Sequence, residues 1–300
     1  MTSTNSEAYL KPEVAKTISR LDLKAQFIVK GFMHGLHASP LQGFSAEFSE
    51  RRKYEYGDDP KDIDWRLYAR TDKYYVKKYE SETNMTGWLV VDSSASMGVE
   101  HDGQGTKFDY AISLSAALCY LMIHRQDPVG LIAFDEKIRR STPPKSKRSQ
   151  FGQIISTLAN LKPSGKTDVA ASLWQLAGML KRASLVIVFS DLLGDPEETL
   201  RAIYRLRHAG HDVIIFHILD VAEARFDFTG VVELEDPETG ERLVVDADAA
   251  REDYLRELES FRGLFRREAA SAKFDFVELD VSTPFDKALM EYLTARSQRR

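Results

Sequence analysis

From Thr86 onward, apolar and polar positions follow a regular plan. Trp88-Leu89-Val90-Val91 is an unbroken apolar run, and so are Val129 to Phe134, Leu185 to Phe189 and Val213 to Leu219. Runs this short, apolar at every position, predict strands covered on both faces. Between them lie segments with helical spacing, at Phe108 to Met122, Phe151 to Leu161, Val169 to Leu180 and Pro196 to His208. The last has proline near its start and Gly210 beyond its end, the usual asymmetry of a helix. Strands alternating with helices predict βαβ units and a doubly wound, mostly parallel sheet. Lys137 to Ser141 reads as an antiparallel edge strand.

Two stretches break the plan. Val231 to Val245 alternates on either side of Asp236-Pro237-Glu238-Thr239-Gly240, which predicts a hairpin inserted at about 226–247. Ala249 to Ala270 is then a charged helix, Phe274 to Leu279 a final strand and Pro284 to Leu293 a closing helix. The other departure is N-terminal. Residues 1–10 read as a disordered tail, and Pro12 to Met33 carries helical spacing. Leu41 to Phe48 reads as a loop or edge strand, and Tyr74 to Tyr79 alternates like a strand. The expected organisation is a tail, a small α+β subdomain over 11–85 and an α/β domain over 86–300.

Composition sets outer limits. Among 300 residues, 43% are hydrophobic and 29% charged, enough apolar material for a packed core. A net charge of −5 argues against a general nucleic-acid binder. The single cysteine, Cys119, lies in an apolar stretch and reads as a core residue. The N-terminus lacks the apolar region of a signal peptide, and no run of roughly 18 apolar residues is present. The expectation is a cytoplasmic protein without a membrane span.

The chemistry gathers at strand ends. The first buried strand runs into Asp92-Ser93-Ser94-Ala95-Ser96, so an aspartate and two hydroxyls enter one loop. In a doubly wound sheet, ligands bind at the carboxyl ends of the strands. Asp191 follows the third buried strand, and the loop Ser164-Gly165-Lys166-Thr167-Asp168 offers another hydroxyl before a helix. Oxygen donors of this kind suit Mg²⁺, Ca²⁺ or Mn²⁺. Taken alone, Asp92 and its serines would also serve as a cap or turn.

Asp92-x-Ser94-x-Ser96 with Thr167 and Asp191 resembles the metal-ion-dependent adhesion site of von Willebrand factor A domains. The resemblance covers roughly 86–295 and implies a Rossmann-like fold. It also implies a divalent ion, Mg²⁺ foremost, held by Ser94 and Ser96, with Thr167, Asp92 and Asp191 bound directly or through water. One coordination position would stay open for a partner's Asp or Glu. The chain departs from it in having Ser190-Asp191-Leu192-Leu193 where many relatives have Thr-Asp-Gly.

A second signature lies upstream: Arg52-x-Tyr54-x-x-Gly57-Asp58-Asp59-Pro60-Lys61-Asp62-Ile63-Asp64-Trp65-Arg66-x-x-Ala69-Arg70. It resembles the signature of a bacterial domain-of-unknown-function family, number 58, in which it precedes a von Willebrand A-like domain. That resemblance implies partnership with a MoxR-type AAA ATPase in assembling or activating a client protein. Physically, Arg52, Tyr54, Asp58, Asp64, Trp65 and Arg70 would suit an ion-pair and aromatic brace, with room for Tyr54 and Trp65 beneath the charges, a partner-binding surface, or both.

Other chemistries find less support. The seven histidines show no metal-binding spacing. Ser164-Gly165-Lys166-Thr167 lacks the upstream glycine of an ATP-binding loop, and Ser94 lacks the glycines of a nucleophile elbow. The expectation is therefore a non-enzymatic, metal-dependent protein-binding module. The alternatives are a metal-dependent phosphotransferase or hydrolase using Asp92 and Asp191, and a scaffold with an empty site.

Overall fold

A computed structural model describes residues 20–38, 51–54, 65–77, 85–101, 103 and 105–290. The expected tail, the segment Leu41 to Phe48, and Asp58 and Asp64 lie outside these residues. The chain divides into two compact units, 34–84 and the remainder.

The larger unit holds a six-stranded sheet. Its strands are β3 (Thr86–Asp92), β4 (Val129–Phe134), β5 (Ile138–Lys145), β6 (Ser184–Ser190), β7 (Asp212–Leu219) and β10 (Asp275–Asp280), in the spatial order β10-β7-β6-β3-β4-β5. All neighbours are parallel except β4 and β5. The antiparallel edge strand is longer than expected and runs on through Pro143 and Pro144, residues that an edge tolerates. β3, β4 and β6 are buried along nearly their whole lengths, as their unbroken apolar runs require.

Helices cover both faces. α5 (Val169–Met179), α6 (Pro196–His208) and α8 (Ala247–Ala272) contribute to one core cluster with Val90, Ile132, Val188 and Ile215 from the strands. α3 (Lys107–His124) packs on β3 and beside α4 (Arg148–Asn160). Tyr110 of α3 stacks on Phe285 at 4.8 Å, where a closing helix begins. The strand order decides where a ligand fits. From β3 the chain crosses to β4 on one side and later returns to β6 on the other. The crevice at this switch point lies between the carboxyl ends of β3 and β6, where Asp92 and Asp191 stand.

α1 (Leu21–Ala38) begins in this larger unit, where Leu21, Ala25, Ile28 and Val29 are buried. The expected subdomain over 11–85 took in these residues, which group instead with the larger unit. Within the larger unit, two elements were not expected. These are a single 3₁₀ turn at Ser96–Gly98 and the short α7 (Val221–Arg225), which starts on a capping box of Asp220 and Glu223.

In the smaller unit, β1 (Arg51–Lys53) pairs antiparallel with β2 (Tyr75–Lys77), and α2 (Trp65–Thr71) lies between them in sequence. The Tyr54 N–H donates to the Tyr74 carbonyl at 3.0 Å. Tyr74 stacks on Tyr68 at 4.5 Å, and Trp65 meets Tyr68 edge-on at 6.1 Å. An aromatic cluster is thus present around Tyr68. Trp65 is 57% exposed, however, and Arg70 is exposed in the last turn of α2.

Candidate metal centre at the strand ends

Four of the five expected ligands form one hydrogen-bonded chain. The Ser94 N–H donates to Asp92 Oδ1 at 2.9 Å, and the Ser94 and Ser96 hydroxyls lie 3.0 Å apart. The Thr167 hydroxyl donates to Asp92 Oδ2 at 3.3 Å. Asp92, Ser94 and Ser96 are buried, and Thr167 is half-buried at the rim. Local backbone bonds set this up. The Ser164 N–H donates to the Ser93 carbonyl and the Ala95 N–H to the Gly165 carbonyl, both at 2.9 Å. These tie the two ligand loops together. Gly165 takes φ +82, a conformation costly to a side-chain-bearing residue. Asp168 then caps α5 by accepting from the Ala171 N–H at 2.8 Å.

Asp191, the fifth, is held by different partners. Its Oδ2 accepts from Lys107 Nζ at 2.8 Å, and the same ammonium donates to Glu223 Oε1 at 2.7 Å. The Lys107 side chain is 1% exposed. Lysine at the first position of a helix opposes the macrodipole, so its place depends on these two carboxylates. They hold the ammonium protonated against its burial. Asp92, by contrast, is pushed up to about 7, first by burial and then by the charge of Asp191, with hydrogen bonds opposing.

Sequence reasoning missed four participants. Ser190 donates from its hydroxyl to Asp92 Oδ2 at 2.6 Å. Lys107 and Glu223 complete the Asp191 side. Glu238, at the tip of the hairpin β8 (Val231–Glu235) and β9 (Arg242–Asp246), accepts from the Thr167 N–H at 2.9 Å. Ser190 was adjacent to a noted acid and legible as one more hydroxyl. The others are distant in sequence and carry no spacing signal. The departure after Asp191 leaves the loop's path glycine-like, because Leu192 takes φ 56. That costs leucine about 1–2 kcal/mol, offset by a side chain 2% exposed in the core.

Among the described residues, no group of three or more His, Cys, Asp and Glu side chains is arranged around a possible metal. The set here is two aspartates and several hydroxyls, a hard-donor mixture with few charges, suited to Mg²⁺ or Mn²⁺. The donor chemistry fits such an ion on the Asp92 side, where buried negative charge is balanced only by neutral donors. One further atom points the same way. Glu238 Oε1 is buried and has no hydrogen-bond partner among the described residues.

A mostly parallel sheet covered by helices on both faces places the chain in the doubly wound α/β class. Within it, residues 50–262 match the family described as "Protein of unknown function DUF58", and the chain belongs to that family. Uncharacterized protein Rv1480 of Mycobacterium tuberculosis is 28% identical over 253 residues, 82% of this chain and 78% of that protein. Among solved structures, conserved hypothetical protein BatB from Bacteroides thetaiotaomicron is similar with a TM-score of 0.46 at 14% identity, covering 71% of this chain and 99% of that one. The SpRpn10 VWA domain is similar with a TM-score of 0.38 at 15% identity, covering 69% and 93%. Among the described residues, no helix is long and apolar enough to cross a membrane.

Proposed function

We propose that this protein is a non-enzymatic docking module whose strand-end site binds a divalent ion, Mg²⁺ foremost, and through it an acidic side chain of a partner. The observation that carries this reading is the clustering of Asp92, Ser94, Ser96 and Thr167 around one buried carboxylate at the switch point. Ser94, Ser96 and Thr167 would hold the ion, with Asp92 and Asp191 bound directly or through water. The ion would supply positive charge to attract a carboxylate, since few protein acids neutralise it. Nucleophile and general-base geometry is not needed for such a role. The family and its signature fit a protein-interaction module, and the finer reading is a cytoplasmic partner of a MoxR-type AAA ATPase acting on a client that offers Asp or Glu.

The test is calorimetry with Mg²⁺ and Mn²⁺ on the full chain and on Asp92→Ala, followed by ATPase and client capture with and without chelator. Binding of ion and partner should both vanish in the variant. Capture indifferent to chelator and to Asp92→Ala sinks the reading. A second reading has one observation in its favour. Lys107 Nζ already contacts Asp191, and a fixed ammonium can stand in for part of an ion's charge. On that reading the site is a metal-free scaffold, and calorimetry gives no heat with either ion.

A further inference from the structure

The hairpin tip is built to present one side chain. Asp236 Oδ1 accepts from the Glu238 N–H at 2.8 Å, and its Oδ2 accepts from the Thr239 hydroxyl at 2.7 Å. The Gly240 N–H closes the turn on the Asp236 carbonyl at 2.8 Å, with Gly240 at φ +72. This rigid turn directs Glu238 onto the ligand loop, where Oε2 accepts from the Thr167 N–H. The ribbon behind it is weakly supported. A two-stranded hairpin is marginal by itself, and Val231, Leu243 and Val244 are 73%, 62% and 65% exposed. At its base, the Ala247 N–H meets the Gly230 carbonyl, and Arg251 donates to the Phe226 and Phe228 carbonyls.

Against that weak ribbon stands the atom no hydrogen bond explains. Glu238 Oε1 is a carboxylate oxygen buried beside the ligand loop and unpartnered among the described residues. Burying such an oxygen is costly unless a cation or donor meets it. We infer that Glu238 is a metal ligand borne by the chain itself, filling the position that the docking reading assigns to a partner's acid. The hairpin is then an intramolecular plug, and an incoming Asp or Glu must displace it. This rests on the metal-docking reading and adds to it a closed, self-ligated state.

Mn²⁺ alone tests the idea, because its effect on water-proton relaxation counts the waters left on the ion. Three chains are compared with the wild type: Glu238→Ala, Glu238→Gln, which keeps an acceptor for the Thr167 N–H, and Asp92→Ala. Loss of one carboxylate should weaken Mn²⁺ binding roughly tenfold in both Glu238 variants. Relaxation per bound ion should rise in Glu238→Ala as water takes the vacated position. Amide exchange over 231–246 should slow with Mn²⁺ in the wild type and not in Glu238→Ala. Equal affinity, relaxation and exchange in wild type and Glu238 variants, with binding abolished by Asp92→Ala, would overturn the plug and leave the docking reading standing. No Mn²⁺ binding by the wild type overturns both.

Discussion

The ends of β3 and β6 lie side by side in the sheet and each delivers a buried aspartate, yet the two acids are held by opposite means. Asp191 faces a fixed cation, Lys107, itself shared with Glu223. Asp92 faces only neutral donors, namely the Ser94 amide and the hydroxyls of Ser190 and Thr167. Hydroxyls satisfy hydrogen bonds but do not cancel charge, so Asp92 carries the unbalanced charge of the pair. A divalent ion bound there, as proposed, would act most strongly at β3, while the Lys107 pair at β6 fixes the geometry. The lesson is that two strand-end aspartates in one motif need not be electrostatically equivalent.

The largest effect is expected from removing the cation on the β6 side. Lys107→Ala leaves Asp191 buried without a counter-charge and frees Glu223, which is 29% exposed at its side chain and can turn to solvent. Deleting one partner of a buried pair costs about 3–5 kcal/mol. Urea unfolding should show that loss, and Lys107→Met, which keeps the packing volume, should show nearly as much. A loss under about 1 kcal/mol in both would mean that the pair contributes little and that the two ends are alike.

A smaller effect comes from acid. His217, whose register partner is Ser190, is buried between Phe276 and Phe261 and pushed down to about 4 by burial and by Arg262, with Asp191 and Glu278 opposing. The native state therefore binds fewer protons there than the unfolded chain between about pH 4 and 6.5, and stability is lost as pH falls through that window, by about 3 kcal/mol. Asp92 has the opposite sign. Its raised value means that the native state holds the proton more tightly, so stability is lost as pH rises from about 4 to 7. The two trends should largely cancel in the wild type in chelator. Asp92→Asn should expose the His217 slope and His217→Gln the reverse slope. Unchanged pH profiles in both variants would remove the charge asymmetry from the account.

The fold was legible because its signal is repeated. Four unbroken apolar runs with intervening helices admit few arrangements other than a parallel sheet, and Asp92 and Asp191 could be placed because each lies within two residues of the end of such a run. The hairpin was legible from Asp236 to Gly240, where turn chemistry is local. What the sequence hid was pairing across long separations. Lys107 at a helix start looks like a solvated surface residue, and nothing in its neighbourhood names partners 84 and 116 residues away. Glu238 reads as an ordinary turn residue until the hairpin is docked. Trp65 shows the converse, since an aromatic among charges reads as a packed platform whereas here its face is largely open.

The finest test lies at Ser190, which belongs to β6 by sequence but serves Asp92. Its hydroxyl donates to Asp92 Oδ2 and accepts from the Leu192 N–H at 2.9 Å, so it links the two strand ends. Ser190→Ala deletes both bonds at a fully buried site. The Leu192 N–H is then left without this acceptor, and Asp92 Oδ2 keeps only the longer bond from Thr167. Hydrogen bonds to a charged group contribute roughly 1.5–3 kcal/mol when that group is ionised and about 1 kcal/mol when it is neutral. The cost should therefore depend on pH, near 1 kcal/mol at pH 5, where Asp92 is protonated, and larger at pH 8. Ser190→Thr should restore most of the loss. A pH-independent cost would show that Asp92 does not change charge over this range. It would place the unbalanced charge elsewhere than the end of β3.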